Sequence, residues 1–143
     1  MAKNRAYHWW SLTILIGVSI GGCDSRPPGG AVNENALVQE LTDAIIAKDK
    51  QRFLNLMKLD DVSAATRNRI QKTTPQSFSF EAPKISTEPM SEEEKKDMNT
   101  GYGVFGWNAE PIGNIVITDG SESVKLPYGR LDERFYVITR TKR

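Results

Sequence analysis

The chain has 143 residues, with 19 Lys and Arg against 18 Asp and Glu, one histidine and one cysteine. So even a balance gives no electrostatic case for a nucleic-acid partner. A lone cysteine excludes an internal disulfide, and with one histidine it excludes a zinc site built from those ligands.

The first five residues carry Lys3 and Arg5 and no acid, and Trp9 to Ile20 then runs without charge or proline. About 12 helical residues rise roughly 18 Å at about 1.5 Å each. A bilayer core of about 30 Å needs about 20 apolar residues, so the run fits the apolar region of a signal peptide better than a span. Small residues follow, Gly21-Gly22, then Cys23. The tetrapeptide Ile20-Gly21-Gly22-Cys23 resembles the lipobox of bacterial lipoproteins. The resemblance implies a signal peptide over 1–22, diacylglycerol on the Cys23 thiol, cleavage before Cys23, and acylation, palmitate for instance, of the new amine. It implies a location in the cell envelope, lipid-anchored and facing the periplasm or exterior, with the membrane as partner. Several acyl chains give stable anchoring where one is marginal. An uncleaved anchor and a plain soluble signal peptide are the competing readings. Asp24 stands where enterobacterial lipoproteins carry an inner-membrane retention mark.

Removal of residues 1–22 leaves 121 residues, 17 cations and 18 acids, with no histidine and Cys23 as the sole cysteine. Thiol nucleophiles and Ser or Cys paired with a His base are then excluded. There is no glycine-rich phosphate loop, and the expectation is no metal, no cofactor and no catalytic residue.

Residues 23–34, rich in proline, glycine and polar residues, read as a lipid-attached tether, and 35–143 as one small domain. Asn35 is expected to cap a helix over about Ala36 to Lys48, with Leu37, Leu41, Ala44 and Ile45 as its apolar stripe. Asp49 can cap a second helix to about Met57, and Asp60 or Asp61 a third to about Lys72, with Val62, Ala65 and Ile70 as a thin stripe. The period then changes to two. Phe78 and Phe80 alternate as in a strand, and Pro83 and Pro89 bracket an edge strand over Lys84 to Glu88. Ser91 and Glu94 have capping-box spacing for a short acidic helix. Further strands are expected over Gly103 to Glu110, ended by Pro111, over Asn114 to Thr118, over Ser123 to Tyr128, broken by Pro127 and Gly129, and over Arg134 to Arg140. Asp119-Gly120 is a turn signal, and Arg130 to Glu133 turns the chain.

Helices first and strands later predict an α+β fold, with short helices packed on a curved antiparallel sheet. The opening ALVQELTDAIIAKDKQRFLNLM with a late meander looks like the cone-shaped nuclear-transport-factor-2-like superfamily, which implies a pocket between helix and sheet. The catalytic Asp-His pairs of its enzymes have no counterpart here. Pro111-Ile112-Gly113, Leu126-Pro127-Tyr128-Gly129 and Arg134-Phe135-Tyr136-Val137 resemble small envelope proteins of planctomycete-type bacteria, a likeness that implies no activity.

Tyr102, Phe105, Trp107, Tyr128 and Tyr136 are the candidate lining of a ligand pocket. Ordinary core and cross-strand pairing explains the same residues. Asp132, Glu133, Arg134 and Arg130 read as an exposed hairpin tip, and Asp60-Asp61 as a cap rather than an acid pair. The expected function is a non-catalytic binding or interaction module at the envelope membrane, with an envelope protein as a candidate partner. The alternative is a hydrolase or isomerase that uses Asp or Glu with Tyr inside a cone-shaped pocket.

Overall fold

The computed structural model describes residues 29–73 and 79–143, so the expected signal segment and Cys23 lie outside the described residues. In chain order the elements are α1 (Glu34–Ile46), α2 (Lys50–Asn55), α3 (Ala64–Thr73), β1 (Lys84–Pro89), α4 (Glu92–Lys95), β2 (Met98–Thr100), β3 (Gly103–Trp107), β4 (Glu110–Asp119), β5 (Glu122–Leu131), β6 (Arg134–Val137) and β7 (Arg140–Lys142). The class is α+β as expected. The strands form two antiparallel sheets rather than one, in the orders β1-β4-β5-β6 and β2-β3-β7.

The folded body begins earlier than the expected boundary at residue 35. Ala31 is buried and exchanges two backbone hydrogen bonds with Phe135, at 2.8 and 2.9 Å. The Gly30 N–H donates to the Asn55 carbonyl at 2.9 Å. The Arg134 guanidinium donates to the carbonyls of Gly29, at 2.7 Å, and Gly30, at 2.6 Å. Gly30 has φ +75°, and a Cβ there would meet the Tyr136 ring at 2.5 Å, so only glycine fits.

This strapped segment sets the start of α1. Asn33, not Asn35, is the cap: it is extended, and its side chain accepts from the Ala36 N–H at 2.8 Å. Leu37, Leu41, Ala44 and Ile45 are buried, following the expected stripe. At the far end Lys48 takes φ +55°, its N–H reaching the Ile45 carbonyl and the Asp49 N–H the Ala44 carbonyl. That is a Schellman closure with lysine where glycine is usual. Asp49 then caps α2, accepting from the Arg52 N–H at 2.9 Å, as its spacing predicted.

α3 is peripheral. Ser63 caps it instead of Asp60 or Asp61, its hydroxyl accepting from the Thr66 N–H. Val62 is buried ahead of the helix, Ala65 is exposed and Ile70 half-buried. Thin apolar content explains the loose seating.

Register places Ile85 beside Ile117 and Thr87 beside Ile115, then Ile117 beside Val124, Ile115 beside Leu126, and Tyr128 beside both Gly113 and Val137. This face of the four-stranded sheet packs on α1 and α2 around Leu37, Leu41, Ala44, Ile45, Phe53, Leu56 and Phe80. Burial of each large aliphatic side chain there contributes roughly 1.5–3 kcal/mol. Phe135 is only half-buried, and Phe80, read as a strand residue, enters the core from outside any strand. β1 is an edge strand, as its prolines suggested.

Three expected strand ends are corrected. β4 runs through Pro111, absorbed by a register shift between Pro111 and Gly113. β5 runs through Pro127 and Gly129 to Leu131. The apolar run from Phe135 to Ile138 is not one strand, and Pro127 is the reason. The Ile138 N–H donates to the Pro127 carbonyl at 2.9 Å, and proline has no N–H to return the bond. The β5–β6 ladder therefore stops at Val137, and the chain crosses to pair β7 with β3.

Candidate functional site

The three-stranded sheet carries one face built at period two. Phe105 is in register with Met98 and Lys142, and Trp107 with Arg140, so these five side chains share that face. Arg140 is heavily engaged. Its guanidinium sits 4.3 Å from the Trp107 ring centroid and donates to the Glu94 carbonyl at 2.7 Å and the Lys96 carbonyl at 2.8 Å. Trp107 Nε1 donates to the same Glu94 carbonyl at 3.0 Å. A cation and an indole thereby seat the C-terminal end of α4 on the sheet.

The loop from Lys58 to Ser63 faces this sheet. Asn108 fixes it there: its Nδ2 donates to the Lys58 carbonyl at 2.8 Å, and its Oδ1 accepts from the Thr139 N–H at 3.0 Å. Buried Lys58 bonds Asp60 at 2.6 Å and approaches Asp61 at 3.7 Å. The Asp60 hydrogen bond holds the ammonium above the ordinary lysine pKa, against the cost of burial. The two carboxylates serve this lysine and do not cap α3. Arg67 folds back to the Leu59 carbonyl at 2.8 Å, closing the loop on its own helix.

Between loop and sheet lies a cleft of about 350 Å³ lined by Asp61, Val62, Ser63, Thr66, Phe105, Arg140, Thr141 and Lys142. One acid stands opposite two cations over an apolar floor of Val62 and Phe105. Such a surface can hold a small ligand or a chain segment by contact and hydrogen bonding. Of the aromatic candidates only Phe105 lines it, with Trp107 behind it through Arg140.

The other aromatic candidates are elsewhere, so the five do not form one lining. Tyr102 stands at the β2–β3 hairpin tip, 87% exposed. Tyr136 covers Gly30 on the far sheet. Tyr128 lies in the core, its ring over Gly113, where a Cβ would meet it at 2.8 Å. Burial first, then the Glu34 carboxylate at the start of α1, push the pKa of its hydroxyl up to about 12. Sequence reasoning missed this carboxylate–phenol pair because 94 positions separate its members. It also missed the cleft, although Arg140 and Lys142 alternate as strand neighbours do. Asp132 and Glu133 are an exposed turn, as read, while Arg134 clamps the N-terminal segment. Among the described residues, no group of three or more His, Cys, Asp or Glu is placed to hold a metal, and no helix is long and apolar enough to cross a membrane.

No known protein family matches the chain, and no curated protein or solved structure does either.

Proposed function

We propose that this chain is a lipid-anchored protein of the cell envelope that works by binding rather than catalysis, with the cleft between Asp61–Thr66 and Phe105/Lys142 as its contact surface. The cleft is the observation that carries the binding reading, since it joins an apolar floor to charges of both signs without a nucleophile–base pair. The lipid anchor rests on the lipobox resemblance. Cells fed an alkyne palmitate analogue should label the protein, and Cys23→Ala should lose the label and release the protein from membranes. Unlabelled protein that stays in the membrane fraction would point to an uncleaved anchor. For the cleft, a photo-crosslinking residue at Lys142 should give a discrete adduct in intact cells that disappears with Phe105→Glu. An adduct indifferent to Phe105→Glu would remove the cleft from the function.

A cone-like fold of the nuclear-transport-factor-2 kind is the finer reading of the architecture. It is supported by α1 and α2 lying together on one face of the four-stranded sheet, and the division into two sheets is a departure from it.

The Glu34–Tyr128 pair favours the second reading, a carboxylate–tyrosine hydrolase or isomerase. A phenol held to about 12 is a proton donor and not a base at neutral pH. The binding reading therefore comes first.

A further inference from the structure

We propose that β1 is a dimer edge: two copies of this chain pair their Lys84–Pro89 strands antiparallel about a two-fold axis at Ser86, joining two four-stranded sheets into one. The proposal goes beyond the binding cleft and is independent of the lipid anchor.

The backbone shows which groups this edge offers. In an antiparallel sheet, successive residues point their N–H and C=O to alternate sides. The Pro127 carbonyl accepts from the Ile138 N–H, so Pro127 looks away from β4, and Asn114 opposite it looks toward β1. The partner of Asn114 there is Glu88, and Met90, two residues on, donates to the Ile112 carbonyl. Lys84, Ser86 and Glu88 therefore bond to β4, while Ile85 and Thr87 turn their N–H and C=O outward. Pro83 and Pro89, next in the outward series, have no N–H to give. At the far side of the sheet, Ala31 and Met57 cover β6. Among the described residues β1 is thus the open edge of this sheet, so pairing closes at two copies and does not run on into a fibre.

The sequence of this edge is its own complement. Pairing centred on Ser86 sets Ile85 against the second copy's Thr87 and uses every outward N–H and C=O of both residues. It sets Lys84 opposite the second copy's Glu88, and Glu88 opposite its Lys84, at positions where cross-strand side chains stand closest. A slip toward Ile85 puts Lys84 against Ser86 and, for want of an N–H on Pro83, leaves the Thr87 carbonyl unpaired. A slip toward Thr87 puts Lys84 against Met90 and leaves the Ile85 carbonyl unpaired. The charges are available: Lys84 is exposed and has no acid partner among the described residues, and Glu88 meets Lys125 through Oε1, which leaves Oε2 for a second cation. Ser86 and Thr87 are exposed as well. So short a ladder gives a reversible dimer at the low end of interface sizes, and the test therefore traps it covalently.

The full chain is oxidised with copper phenanthroline in intact cells that express it; the parent, with Cys23 as its sole cysteine, gives the background. Ser86→Cys places two thiols across the axis with Cα atoms about 4.5 Å apart, within disulfide range. It should give a product of twice the chain's mass several-fold faster than Lys84→Cys or Glu88→Cys, whose own counterparts lie about 13 Å away at about 3.3 Å per residue. Co-expression of those two should give their mixed dimer. Lys84→Glu added to Ser86→Cys should slow the cross-link several-fold, and co-expression with chains that carry Glu88→Lys and Ser86→Cys should restore it, since each Glu then meets a Lys. Equal rates at positions 84, 86 and 88 overturn the interface, and a faster cross-link from Ile85→Cys or Thr87→Cys overturns its register. A rate indifferent to Lys84→Glu overturns charge pairing as its basis. An adduct at position 86 of some other mass, without the doubled one, would mean that a foreign strand takes this edge, and overturns the dimer too.

Discussion

The two sheets of this protein are held by different forces. The four-stranded sheet buries Ile115, Ile117, Tyr128 and Val137 against α1 and α2. The three-stranded sheet has no large side chain fully buried on its strands; its one buried strand residue is Gly106. It is attached by directed polar contacts instead, through Arg140, Trp107 and Asn108. Apolar burial is non-directional and tolerates small shifts, whereas a hydrogen-bonded clasp holds one geometry and opens when a partner is lost. The cleft lies on the clasped side, where local opening is cheaper than global unfolding.

The largest expected effect tests the apolar half of this contrast. Leu41 is fully buried in the middle of α1. Leu41→Ala removes its contacts and leaves a cavity, so stability should fall by about 2–5 kcal/mol. Urea unfolding followed by far-ultraviolet circular dichroism measures this. Phe105→Ala, on the half-buried cleft floor, should cost clearly less. Equal losses at the two positions would mean that the three-stranded sheet belongs to the same packed core.

How much of this was legible in the sequence follows the same division. The apolar stripe of α1, the Asp49 cap, the Ser91–Glu94 capping box and the proline-bracketed edge strand were readable because each is a local pattern with a local cause. The strap of Gly29–Ala31 was not readable, since proline and glycine mark a tether equally well whether or not an arginine 104 positions away clamps it. The second sheet was hidden by Pro127, whose missing N–H ends a ladder on the neighbouring strand rather than its own. The turn at Asp132–Glu133 was legible from its cluster of charged residues, although it holds φ +48° and +63° without a glycine. The aromatic candidates scattered because period-two spacing fixes a side chain's face and says nothing of which sheet the strand joins.

Alkaline pH should strike the packed half through Tyr128. Folded, the phenol keeps its proton to about 12, while an exposed tyrosine loses it near 10. The unfolded chain therefore binds fewer protons than the folded one in this range. The contribution is fully present below pH 10 and disappears as pH rises from 10 to about 12, on the order of 2–3 kcal/mol in all. Lys58 acts in the same direction, because its pKa is also raised. Tyr128→Phe separates the two. Denaturation midpoints between pH 9 and pH 12 should fall less steeply in this variant than in the parent, and the variant's absorbance titration at 295 nm should lack the latest component of the parent's. An unchanged slope would show that Glu34 and the core do not hold this proton.

The smallest expected effect breaks the clasp. Arg140→Ala removes two charge-assisted hydrogen bonds to the Glu94 and Lys96 carbonyls and the cation over Trp107. The guanidinium is partly exposed, so the loss should be about 1–2 kcal/mol and confined to the three-stranded sheet and α4. Amide exchange detects it where a global melt does not. Protection should drop across β3, β7 and α4, while α1 and β4 keep theirs. Trp107 emission should shift to the red as its indole loses the Arg140 cover. Arg140→Lys should recover little, because one ammonium cannot reach both carbonyls and stack at once. A uniform drop in protection across both sheets would instead make the clasp part of the global fold, and the contrast between the two halves would not hold.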